Sequence, residues 1–268
     1  MSRVIEAIDT FQENNKQHTE FMDVAHKARF VQHSRHTHAA RFEAVMFQGY
    51  GPYGLSHAET ALMTAYKTTD IIKYKNLGNK AVGAEVARVA RARFRKAHDI
   101  GEMHGSGGAV GATVVAYGSM LHIAHIGDVQ AHYVGEDGTM QRLTTPHDTS
   151  NAREVRRIRK AGGWLKAIDD KELFFGQWPF SRSIGDHDTP ELLPDCEVSS
   201  ITLETPGVLV MATRGVWQAF NTDKVGEFLH EARLTEQLKP ATQILAQEAA
   251  ARSQANVGLL VAPFAYAS

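Results

Sequence analysis

The feature that most constrains this chain is the stretch from Gly105 to Gln130. Two apolar runs rich in β-branched and small residues are joined by Gly118-Ser119 and entered through Gly105-Ser106-Gly107-Gly108. Runs of this kind bounded by turn residues are expected to pair as strands. The second run closes on Gly127-Asp128, so the pair delivers a carboxylate to a strand end, where glycine gives the backbone room to turn. A sheet that presents a charge at its rim is therefore the core expectation.

Further elements can be read around this centre. Phe42 to Phe47 reads as a short buried strand and is followed by the glycine-rich turn at 48–54. Helical spacing runs from about Leu55 to Tyr74, with Leu62, Tyr66, Ile71 and Ile72 pointing inward, and again from Val82 to His98. The second helix carries Arg88, Arg91, Arg93, Arg95 and Lys96, a basic face expected to be solvated. Val4, Ile5, Ile8 and Phe11 also fall at helical spacing near the start. Toward the end, Gly207–Ala212 and Val257–Ala262 read as strands, with helices over 222–232 and 240–253; Pro240 stands in a first turn, where proline is tolerated. Residues 164–180 hold Trp164, Phe174, Phe175, Trp178 and Phe180, expected to be mostly core, with any exposed subset forming a partner surface. No internal repeat or linker is evident, so a single domain over 1–268 is expected.

Composition excludes several classes. With 268 residues and 43% apolar content the chain can bury one large core. A net charge of −1 and a pI near 6.9 supply no global field for nucleic acid or an anionic membrane. Cys196 is the only cysteine, which rules out an intramolecular disulfide and suits a cytoplasmic location. Neither a signal-like start nor an apolar run of membrane-spanning length is present.

Isolated candidates mostly favour structural roles. The three histidines in Gln32–His38 lack a carboxylate or thiol at ligand spacing, and an exposed loop is expected. His122 and His125 sit three apart in a strand and should face opposite sides, against joint metal ligation. His147 is expected to be a hydrogen-bonded structural residue. Gly105–Gly108 has no Gly-Lys-Ser/Thr after it and so is not a phosphate loop.

Beyond the central pair, further motifs follow in order. They are Gly127-Asp128-Val129-Gln130-Ala131, a Gly-x-x-Gly tip at 135–138, Leu143-Thr144-Thr145-Pro146-His147, the basic run Arg157 to Gly163, and Ser181-Arg182-Ser183-Ile184-Gly185-Asp186. Taken together they resemble the metal-dependent protein phosphatases of the PP2C (PPM) type, whose patterns here are GSTA, N-x-GDSRA, LT-x-DH, RI-x-x-AGG and SRA-x-GD. The resemblance implies an α/β fold in which two mainly antiparallel sheets form a sandwich flanked by helices. In that family, aspartates bridge Mg²⁺ or Mn²⁺ ions that activate a water against a phosphoserine or phosphothreonine, because adjacent dications need anionic oxygens between them.

Set against the family's patterns, the charges are missing. DGHGG aligns with Gln48-Gly49-Tyr50-Gly51-Pro52, so an amide replaces the bridging carboxylate and a phenol replaces the histidine. DG-x-W-D aligns with Arg214-Gly215-Val216-Trp217-Gln218, and the final DN with Ala255-Asn256. A guanidinium stays protonated and repels a cation. R-x-x-MED aligns with Thr19 to Asp23, leaving Asp23, Asp128 and the backbone of Gly49 as remnant metal ligands. Gly215, Trp217, Asn256 and Asp186 survive as structural motif residues. Arg214 is expected to pair with Asp128 or Asp23, and Arg182 or Arg214 to offer an anion contact.

The functional expectation is a pseudophosphatase with no catalytic residue and no metal cofactor. It would bind another protein, the classes considered being a kinase, a phosphatase or a phosphoprotein, and neither nucleic acid nor membrane. The alternative is a divergent Mg²⁺- or Mn²⁺-dependent Ser/Thr phosphatase.

Overall fold

Strict alternation along the strands dictates the architecture. In the computed structural model, residues 9–13, 24–31, 41–65, 79–168, 171–253 and 255–264 are described. Strand β4 (Gly108–Tyr117) sends Val110, Ala112, Val114 and Ala116 into one core, while Ala109 and Val115 face the other side. A strand buried on both faces requires a layer on each side.

Two sheets supply those layers. One has the order β10 (Glu197–Thr202), β5 (Met120–Ile126), β4, β3 (Arg41–Tyr50) and β2 (Val24–Val31), and all its neighbouring strands are antiparallel. The other has the order β1 (Asp9–Glu13), β12 (Val257–Phe264), β11 (Gly207–Ala212), β6 (Gln130–Val134) and β7 (Met140–Arg142), again antiparallel throughout. Between them lies the central core, where Phe42, Met46, Leu121, Ile123, Leu209, Met211 and Leu260 meet. Each such side chain, fully buried, contributes about 1.5–3 kcal/mol.

Helices cover both outer faces. The first sheet packs against α1 (Gly54–Ala65) and α2 (Asn79–Gly101) through Val45, Phe47, Ala61, Leu62, Phe94 and Ala97. Arg88, Arg91, Arg95 and Lys96 lie on the exposed side of α2, as expected of a solvated face. The second sheet is covered by α4 (Arg214–Ala219), α5 (Thr222–Leu234) and α6 (Leu238–Arg252) through Val216, Leu229, Leu245 and Ala249. The result is the helix-sheet-sheet-helix sandwich expected. Among the described residues, no helix is long and apolar enough to cross a membrane.

Two short elements complete the chain between the sheets. Helix α3 (Ala152–Lys160) is capped by the Asn151 side chain, which accepts from Arg153 N. Strands β8 (Leu165–Ile168) and β9 (Lys171–Phe174) form a separate hairpin.

Some local expectations are corrected. Residues 9–13 are a strand paired to β12, with Phe11 opposite Leu259, rather than part of a helix. Apolar residues at 4, 5, 8 and 11 fall at helical spacing, but over 9–13 an edge register on β12 satisfies the backbone instead. Residues 66–78, including Tyr66, Ile71 and Ile72, lie outside the described residues, as do Thr19, Asp23 and the Gln32–His38 histidines.

Candidate functional site

Topology brings the motif residues to one end of the sandwich. Strands β3, β5 and β11 finish there, and β4, β6 and β12 begin there, as the pairings Tyr50 with Gly108 and Ala212 with Gln130 fix. The link from β5 to β6 passes from one sheet to the other at this rim, and Gly127 turns it with φ +79°. Asp128 therefore sits between the sheets, as the sequence pattern implies.

Gln48 and Tyr50 follow Phe42, Ala44 and Met46 on the inward face of β3, and both are buried. Gly49 between them faces α1, where an added Cβ would lie 1.9 Å from the carbonyl oxygen of Gly54. This glycine is required by packing whatever the chemistry of its neighbours. Tyr50 Oη donates to Asp186 Oδ2 at 3.0 Å, and its ring lies 4.8 Å, centre to centre, from both Trp178 and Phe180. Burial, then the negative charge of Asp186, pushes the Tyr50 phenol well above its ordinary range. A phenol so held is a fixed donor and not an acid-base group at neutral pH.

Asp186 is buried, and its other oxygen accepts from Thr189 N at 3.0 Å. Burial raises its carboxyl, which the Tyr50 bond only partly offsets. Asp128 is also buried, and desolvation raises it to about 6 against the lowering influence of Arg214 and the raising influence of Asp148.

The second rim segment is a closed hydrogen-bonded set. Thr213 stands just before α4, and its Oγ1 ties this turn to the start of β12, donating to Asn256 O and accepting from Gly258 N, each at 2.9 Å. Gly215 passes so close to this loop that a Cβ would lie 2.7 Å from Asn256 O. Trp217 Nε1 donates to Ala212 O at 3.2 Å, and its ring packs on His132. We assign the Gln218 amide the orientation its neighbours require, in which its oxygen accepts from Arg214 Nε at 2.8 Å and Nη2 at 3.0 Å and its nitrogen donates to Ser253 Oγ at 3.3 Å. Ser253 Oγ also accepts from Ala255 N at 3.0 Å.

This corrects the expected pairing of Arg214. Among the described residues no ion pair joins it to Asp128; its guanidinium bonds Gln218 in a fork and reaches Asp128 only through its field. Asp23, the other partner considered, lies outside the described residues. Sequence reasoning treated Arg214 and Gln218 as two separate losses, yet their spacing of four on a helix places them face to face.

Arg182 is likewise engaged. Glu154, buried on α3, accepts from Arg182 Nη2 at 2.6 Å, Arg182 Nε at 3.0 Å, Arg157 Nε at 3.1 Å and Ser181 Oγ at 2.7 Å. Burial alone would raise the Glu154 carboxyl; the Arg182 bonds outweigh it and hold it at about 2. Residue spacing offered no sign of this hub, because its members are 24 to 28 positions apart along the chain from one segment to the other.

His125, His147 and Glu197 bring three ligand-type atoms within 4.8 Å of one another. His122 is elsewhere, its Nδ1 on Ser200 Oγ at 2.7 Å, so the expected separation from His125 holds. Gly127 N donates to His147 Nδ1 at 3.1 Å, which leaves the proton on Nε2, 3.3 Å from Glu197 Oε2. His125 Nε2 lies 2.9 Å from Thr145 O and donates to it. The two rings are stacked 4.6 Å apart and parallel within 1°. Lone pairs in parallel planes do not converge on one ion, and the His147 nitrogen facing Glu197 is protonated, so the trio fits a hydrogen-bonded stack better than a tetrahedral metal.

The family model for Protein phosphatase 2C matches residues 9–258. The chain belongs to the Protein phosphatase 2C family. Protein phosphatase 1L of Bos taurus is 27% identical over 155 residues, which cover 54% of this chain and 41% of that protein. Adenylate cyclase of Podospora anserina is 29% identical over 132 residues, covering 47% of this chain and 6% of that one. A solved structure of a C. elegans sex-determining protein superposes with a TM-score of 0.78 at 16% identity, over 97% of this chain and 64% of that one. The matches thus span less than half the length of these two curated relatives.

Members of the Protein phosphatase 2C family hold hard dications with carboxylates, and the described residues at the aligned rim positions do not supply that set. Of the aligned metal-ligand positions that are described, Asp128 alone is a carboxylate; Gln48, Arg214, Gln218 and Ala255 carry none, and Asp186 survives as a structural motif residue bonded to Tyr50. One carboxylate with its acidity weakened by burial, beside a fixed guanidinium, does not fit a pair of dications.

Proposed function

We propose that this chain is a pseudophosphatase: a Protein phosphatase 2C module that binds a protein in phosphorylation signalling without hydrolysing phosphate and without Mg²⁺ or Mn²⁺. The observation that carries this reading is the fork between Arg214 and Gln218. Both positions align with family carboxylates, and here they satisfy each other as cation and amide.

The retained glycines support the same reading. Gly49 and Gly215 are held by close backbone approach and Trp217 by its bond to Ala212 O, so these motif residues serve folding and persist without metal chemistry. Arg182, with its guanidinium bonded to Glu154, serves the fold in the same way. A likeness to a small part of an adenylate cyclase also suits a module that works inside signalling proteins not named for phosphatase activity. The partner class is a kinase, a phosphatase or a phosphoprotein, and the location cytoplasmic.

The second reading, a divergent metal-dependent Ser/Thr phosphatase, is favoured by Asp128, which remains at the rim. Calorimetric titration of Mn²⁺ together with hydrolysis of p-nitrophenyl phosphate and a phosphopeptide in excess Mn²⁺ separates the two. The pseudophosphatase shows neither heat nor turnover; turnover abolished by Asp128→Ala establishes the enzyme.

A further inference from the structure

A cavity of about 520 Å³ opens beside the Tyr50–Asp186 bond. Tyr50, Trp178, Gln177, Asp186 and Asp188 are among the residues that line it. Among the described residues, no lysine, arginine or histidine lines it. Asp186 is 3% exposed, and its described partners are the neutral Tyr50 hydroxyl and Thr189. Two acidic residues thus share one aromatic recess, with no cation among the described residues that line it.

We propose that this recess binds an arginine side chain of a partner protein, the guanidinium lying against Trp178 and donating to Asp186 and Asp188. The proposal deepens the binding-module reading and rests on it for its biological use. A guanidinium suits the recess better than an ammonium for two reasons. It is planar and weakly hydrated, so it stacks on an indole face. Its forked N–H groups also match carboxylate oxygens, which a point charge on a flexible stem does not. Volume agrees, since cavities of about 300–1,000 Å³ accommodate a ligand of side-chain size or larger. The charge here is opposite to that of a phosphate pocket: Arg182 and Arg214 are bonded to Glu154 and Gln218, while the open wall is acidic.

The test titrates the full chain with acetyl-Gly-Arg-Gly-amide, its citrulline counterpart, which has the same shape without the charge, and its lysine counterpart, by calorimetry and tryptophan emission. Binding of the arginine peptide at least tenfold tighter than the citrulline peptide and severalfold tighter than the lysine peptide is expected. Asp188→Asn, an exposed position, should weaken arginine binding at least threefold while leaving the melting temperature unchanged. Trp178→Phe should remove the emission change. Equal binding of arginine and citrulline peptides, or arginine binding unaltered by Asp188→Asn, would overturn the proposal, and lysine binding equal to arginine would overturn the guanidinium assignment. These outcomes do not depend on metal: Mn²⁺-dependent turnover would refute the pseudophosphatase and leave the arginine preference standing, whereas absent turnover with no arginine preference would refute the recess alone.

Discussion

The hydroxyl of Tyr50 donates to the buried carboxyl of Asp186 across 136 positions of sequence, at 3.0 Å. This bond ties the end of β3 to the last residue of the Ser181–Asp186 motif, and the rings of Trp178 and Phe180 pack against the Tyr50 ring. Removing the hydroxyl leaves Asp186 with less solvation than it had. Tyr50→Phe is expected to cost about 1–3 kcal/mol in urea unfolding at pH 7, and a variant as stable as the parent would show the bond to be energetically silent.

Asp128 sets a pH dependence of unusual sign. Its folded carboxyl titrates at about 6 against 3.8 for the ordinary group, because burial disfavours the charge. The native state therefore holds a proton through this window that the unfolded chain has released, and stability falls as pH rises from about 4 to 6. Two pKa units correspond to about 3 kcal/mol. Asp128→Asn should be more stable than the parent at pH 7 by about 1–3 kcal/mol, with the gap closing below pH 4, in parallel urea melts. A gap that is constant with pH would refute the assignment.

Glu154 behaves in the opposite way. Its carboxyl is held at about 2 against 4.5 for the ordinary group, its burial more than offset by Arg182, so its stabilisation is present above 4.5 and is lost as pH falls toward 2. Glu154→Gln leaves Arg182 and Arg157 without their charge partner, and a loss of about 3–5 kcal/mol at pH 7 is expected. Circular-dichroism melts between pH 2 and 7 should show parent and variant converging at the acid end.

The Arg214–Gln218 fork is measurable as a coupling. Single alanine variants and the double variant should yield an interaction energy of about 1–2 kcal/mol in a double-mutant cycle. Additive losses would mean that the two side chains do not act together.

Returning carboxylates to all four aligned positions tests the missing donors directly. A chain carrying Gln48→Asp, Arg214→Asp, Gln218→Asp and Ala255→Asp should melt lower than the parent in chelator and rise with added Mn²⁺, while the parent's melting temperature stays unmoved. A parent that rises equally would point to a working metal centre already in place.

What could be read before the structure was mostly what repeats locally. The β4–β5 pair announces itself because its apolar residues run unbroken to Gly118 and resume after it, and the observed register pairs Tyr117 with Met120 around that turn. The carboxylate at the strand end follows from the same pattern. Strand β1 was obscured by a short window in which apolar spacing fits either period, and its pairing with β12 is a contact between chain ends that no local pattern encodes. The β8–β9 hairpin was hidden by mixed charge and scattered aromatics, and Trp164, just before β8, is 51% accessible. At the rim, alignment named the altered residues but not their new partners. The bonds of Tyr50 to Asp186 and Glu154 to Arg182 join distant segments, and only the folded chain brings them together.

The fork at the start of α4 also bears on how such a chain can change over time. An aspartate placed at 214 alone would remove both donors to the Gln218 oxygen and be taken up by the N–H groups of the rotated amide, and an aspartate at 218 alone would form an ion pair with Arg214 and hold the cation in place more firmly. Neither single step leads back toward a metal-binding rim. The pair acts as a ratchet, because a carboxylate rim is regained only when both positions change together.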